Sequence, residues 1–136
     1  MNCLGPEKVV LYDYELNYYN TKSIIMEKKE FAKDQIFRFD EKINYSDGAI
    51  VSMNVLKRDT GNISLFAFDK GEGLSEHTAP FDAMVQIVDG KAEITVGENK
   101  HILEKGDSII MPANIPHALK AIEKYKMVLT MIKEPK

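Results

Sequence analysis

The chain holds a single cysteine, Cys3, close to its N-terminal end. One thiol cannot build a disulfide framework or a zinc site of paired cysteines, and it fits a reducing compartment; a cytoplasmic location is expected. Basic charge is not in excess either: 18 Lys and Arg stand against 21 Asp and Glu, scattered along the chain, for a formal net charge of −3. Such a balance makes no field that would hold a polyanion, so no nucleic-acid partner is expected. No apolar run approaches the roughly 20 residues of a membrane span, and residues 1–30 lack the basic-then-apolar order of a signal peptide, so no membrane partner is expected. Also missing are a phosphate-cradling glycine loop, a Gly-x-Ser-x-Gly elbow and a His-Glu-x-x-His helix, which removes kinase and common hydrolase chemistry.

What remains reads as one β domain. With 136 residues, 44% of them hydrophobic, the chain can bury one ordinary core and is too short for two. Residues 1–30 stand apart as an N-terminal arm, an extra strand or a helix. The stretch "YDYELNYY" in it is a candidate to cross to a neighbouring subunit, and the one helical pattern of any length is "TKSIIMEKKEFAKDQIF". Residues 31–136 form a single barrel domain. Within it, 49–58, 62–70, 83–89, 91–96, 100–104, 108–111, 117–123 and 126–133 are short runs of branched and aromatic residues, separated by stretches most of which carry Gly, Asn, Asp or Pro. Eight short strands at this spacing predict an all-β sandwich or barrel, and Asp89-Gly90 between two runs predicts a two-residue hairpin.

Two stretches carry a spacing of their own. Gly71 is followed after five residues by His77, and Gly90 closes that stretch; Gly106 is followed after five by Pro112, and His117 lies five beyond. This pattern resembles the two motifs of the cupins over about residues 48–133. The resemblance implies a jelly-roll barrel, a double-stranded β-helix, with its site inside and a homodimer as the usual assembly. It also implies one divalent metal ion on three histidines and a glutamate. Here His77 and His117 occupy two of those positions, whereas Ala79 and Ala83 occupy the other two, and Asn114 replaces a motif glycine.

Two imidazoles without a thiolate or carboxylate are a poor seat for a divalent ion. A third ligand has to come from His101, Asp82, Glu76 or Gln86, and strand parity argues against Asp82 and Gln86. Two readings follow. In the first, the barrel binds a small organic ligand in an apolar cavity with His77, His117 and Met111 as contacts, for sensing, storage or regulation. In the second, His77 and His117 are metal ligands of an oxygenase, isomerase or lyase. Against both stands the plain alternative that each histidine ends a strand and bonds to backbone.

Overall fold

Alternation along the strands sets the architecture. The computed structural model describes residues 24–27 and 29–134. They form β1 (Ile24–Glu27), a single helical turn α1 (Phe39–Lys42), β2 (Ile50–Arg58), β3 (Gly61–Phe68), β4 (Gly73–His77), β5 (Asp82–Val96), β6 (Asn99–Glu104), β7 (Ser108–Met111) and β8 (His117–Ile132). In the first half of β5, Ala83, Val85 and Ile87 are buried, while Asp82, Met84 and Gln86 turn the other way and are less so. The chain is all-β, as expected. Among the described residues no helix is long and apolar enough to cross a membrane.

Two long strands, β5 and β8, organise the barrel. They pair antiparallel along nearly their whole lengths, from Asp82↔Ile132 to Val96↔His117. At one end the outer edges of this pair carry β3 and β7; at the other they carry β4 and β6. Because β5 and β8 serve both halves, the sheet folds over onto itself and encloses one interior, the double-stranded β-helix of a jelly roll. Phe66, Phe68, Val85, Ile87, Ile94, Tyr125 and Met127 are among the side chains that fill it.

The bend lies where a hairpin was predicted, and there is no hairpin. β5 runs straight through Asp89 and Gly90, and the register to β8 shifts between Ile87 and Asp89 and again between Gly90 and Ala92. Gly90 has φ 80°, and a Cβ there would lie 1.9 Å from the Lys124 carbonyl oxygen. The glycine marks a β-bulge pressed against a neighbouring backbone, which needs the same residue type as a turn does. The break expected near residues 124–125 is absent too: β8 is continuous there, with Tyr125 paired to Gly90 across the bulge.

The predicted helix over 21–37 is not formed either. Ile24–Glu27 is a strand paired parallel to β2, from Ile24↔Ile50 to Glu27↔Met53, and the part of the arm holding "YDYELNYY" lies outside the described residues. Residues 29–49 instead cover the outside of the sheet. Ile43 is 2% exposed and packs with Val55, Leu65, Ala67 and Val128, joined by Phe31, Phe39 and Tyr45. The cover is why Leu65 through Phe68 are buried without alternation: both faces of β3 are lined. Tyr45 also donates a hydrogen bond to Asp89 at the bend.

Candidate functional site

The stretch 73–77, expected as a turn region, is the edge strand β4, and its register sets His77 opposite His117, the first residue of β8. The turn before β8 is held from two sides. Ala113 N–H donates to Asp82 Oδ1 at 2.8 Å, and Asn114 N–H donates to the Ala79 carbonyl at 2.8 Å. Asn114 has φ 65°, the left-handed conformation that a glycine serves in the motif and that asparagine tolerates better than most residues.

Both histidines are 5% exposed, and they meet inside the barrel, Nε2 to Nε2 at 3.1 Å with the rings inclined at 69°. His77 Nδ1 lies 2.7 Å from the Ser75 carbonyl oxygen and His117 Nδ1 lies 3.2 Å from that of Ile115. A carbonyl oxygen only accepts, so each Nδ1 carries the ring's proton and donates it. Burial lowers the pKa of His77, opposed by the Ser75 bond. Burial also lowers that of His117, to about 4, helped by the charge of a protonated His77. At neutral pH both rings are therefore neutral, and the lone pairs of the two Nε2 atoms face each other. This is the pattern of a histidine prepared to ligate, with one nitrogen fixed by backbone and the other directed at a shared point. Two nitrogens each about 2.0–2.1 Å from a common atom and 3.1 Å apart would subtend an angle of about 100° there.

Around that point the wall is apolar. A cavity of about 20 Å³ is lined by Leu74, His77, Ala79, Phe81, Ala83, Met111, His117, Leu119, Met127, Leu129 and Met131. Its size suits one water molecule or one ion. The structure thus brings together His77, His117 and Met111, and it places Ala79 and Ala83 on the same wall. It does not bring the other candidates there. Asp82 and Glu76 are exposed, with Asp82 engaged in the turn, and Gln86 lies on the outward face of β5. His101 pairs with Ile94, so its parity is right, but it is exposed and away from the cavity. Among the described residues no group of three or more His, Cys, Asp or Glu is placed to hold a metal ion. The four-ligand divalent site implied by the motifs therefore does not fit this interior, because its anion and one imidazole have been replaced by methyl groups.

Sequence reasoning passed over Met131. It faces Ala83 across the β5–β8 pair, and Met111 faces Ala83 across the β5–β7 pair, so two methionines flank the position of the absent carboxylate. Only the register of the long strands reveals this.

Residues 64–133 match the family model described as a cupin domain. No curated protein matches the chain. Among solved structures, a conserved protein of unknown function from Streptococcus pyogenes is 32% identical with a TM-score of 0.75, over 78% of this chain and 93% of that one. A cupin superfamily protein from Desulfitobacterium hafniense is 27% identical with a TM-score of 0.73, over 78% and 97%. A cupin 2 conserved barrel domain protein from Leptotrichia buccalis is 39% identical with a TM-score of 0.69; the match covers 71% of this chain and 47% of that one.

Proposed function

We propose that this chain, which belongs to the cupin family, is a binding barrel that takes the electron-poor atom of a small guest between His77 Nε2 and His117 Nε2. Its role is sensing, storage or regulation. The observation that carries this reading is the 3.1 Å approach of two nitrogens whose protons are committed elsewhere. Two lone pairs so close repel unless something electron-poor lies between them, a cation or a polarised hydrogen of the guest. The cavity limits that guest. Organic ligands typically occupy pockets of about 300–1,000 Å³, whereas this space holds about 20 Å³. An organic molecule enters it by one polar group, or fully only when the flexible methionines of the wall rearrange.

The donor set also favours binding over turnover. Water activation by a divalent ion draws on three protein ligands. Here the wall offers two neutral imidazoles and otherwise apolar side chains.

The test compares protein purified without a chelating tag with His77→Ala and His117→Ala variants, by native mass spectrometry and elemental analysis. Long-range ¹H–¹⁵N spectra of the imidazoles are recorded alongside. The expected outcome is that guest uptake is lost in either variant while the melting temperature changes little, and that both rings show the Nδ1–H form. Rings protonated at Nε2, or equal uptake by both variants, would remove the reading.

A further inference from the structure

The guest's chemistry can be narrowed from the donors that surround the two nitrogens. Met111 and Met131 are each 2% exposed, line the same cavity as the histidines, and stand directly across from Ala83 on its two neighbouring strands. Side chains opposite one another on adjacent strands have Cβ atoms about 4.5–5.5 Å apart. The small Ala83 is thus flanked by two long thioether side chains, and all three line the cavity that the histidines share.

The exchange replaces a hard, anionic donor by soft, neutral ones. A dipositive ion in an apolar cavity without an anionic ligand is heavily penalised, because the cost of burying an ion grows with the square of its charge, so a single charge costs about a quarter as much. Thioether and imidazole together are the donors that suit copper(I), whereas carboxylate and water suit magnesium, calcium and manganese. An angle of about 100° between the two nitrogens at a shared atom is compatible with further donors there, and Met111 and Met131 line the same cavity. We propose that the barrel binds one copper(I) ion, held by His77 Nε2 and His117 Nε2 together with the thioethers of Met111 and Met131. This inference rests on the reading of the histidine pair as the receiving site, and it adds the metal and the two sulfur donors.

The experiment is anaerobic titration of the full chain with copper(I) in competition with a chromophoric copper(I) chelator, followed by X-ray absorption at the copper edge. Wild type is expected to withdraw one copper(I) per chain. Its spectrum is expected to show nitrogen and sulfur neighbours, with the sulfur shell turning to selenium in selenomethionine-labelled protein. The paired change Met111→Leu and Met131→Leu keeps apolar volume and should weaken copper(I) binding by at least about 10- to 100-fold, the loss that removal of outer-shell partners alone commonly causes. Met53→Leu, on the outer face of the sheet, should leave it unchanged. The absorption measurement on wild type decides the matter even if the double variant folds poorly. Copper(I) held by nitrogen alone, with no selenium shell, would overturn the methionine ligands and leave the histidine pair standing. No copper(I) uptake, with the imidazole signals shifting on addition of zinc(II), would overturn the metal assignment alone. No uptake of either ion and unmoved imidazole signals would overturn the copper site and count against the histidine reading beneath it.

Discussion

His117 is driven toward its neutral form by burial, and the consequence is a stability that depends on pH. Its folded pKa of about 4 lies below the 6.5 of an unperturbed histidine, so between those values the unfolded chain binds the extra proton. The contribution is complete above pH 6.5, is lost as pH falls through the window, and levels off below about 4. For chelator-treated protein, its full loss should amount to about 3 kcal/mol. Urea midpoints measured from pH 7 to 4 should fall more steeply in wild type than in His117→Leu, and parallel slopes would refute this. At this scale the sequence was partly legible. His77 and His117 follow from the resemblance of their spacing to the cupin motifs, as does Ala83 at the carboxylate position, while Met111 follows from an apolar strand run whose inward residues line a cavity. That the two Nε2 atoms point at one another was not legible, because it depends on carbonyls of Ser75 and Ile115 fixing each ring.

Strands were easier to find than their ends. Branched apolar runs identify β2, β3, β6 and β7 closely, since each is bounded by a true turn. β5 and β8 were each divided in two: β5 because a glycine at positive φ reads alike whether the chain reverses or only bulges, and β8 because Lys124 and Tyr125, across from that bulge, interrupt its apolar run. What separates the cases is the Lys124 carbonyl lying against Gly90, a contact with a distant strand that local pattern cannot contain. The two roles predict different costs. Gly90→Ala puts a Cβ 1.9 Å from that oxygen at φ 80°, whereas Gly48 has φ 65° with nothing within 4 Å of the added atom. Gly48→Ala should cost about 1 kcal/mol, the price of the backbone conformation alone. Gly90→Ala should cost about 3 kcal/mol or more, since backbone must move as well. Urea denaturation of both variants checks the difference, and equal costs would mean that the bulge yields without resistance.

One sheet has two buried faces in this molecule, and they serve different ends. The inner face closes around the histidine pair, while the outer face of β2, β3 and β8 is sealed by residues 29–49, with Ile43 at its centre. The barrel was legible because its alternation recurs in strand after strand. The seal was not, because Phe31, Phe39, Ile43 and Tyr45 sit in a stretch with almost no secondary structure and gain order only from the sheet beneath them. If stability and binding are divided between the faces in this way, damage to the outer one should leave the site intact. Ile43→Ala removes a side chain that is 2% exposed and should cost about 2–4 kcal/mol, the usual range for such a truncation in a core. The long-range ¹H–¹⁵N signals of His77 and His117 should remain where they are in wild type under conditions where the variant is folded. Thermal unfolding measures the first quantity and the imidazole spectra the second. A drop in melting temperature with unmoved histidine signals supports the division of labour. Displaced signals would show that the seal also tunes the distance between the two rings, by way of the sheet that separates them.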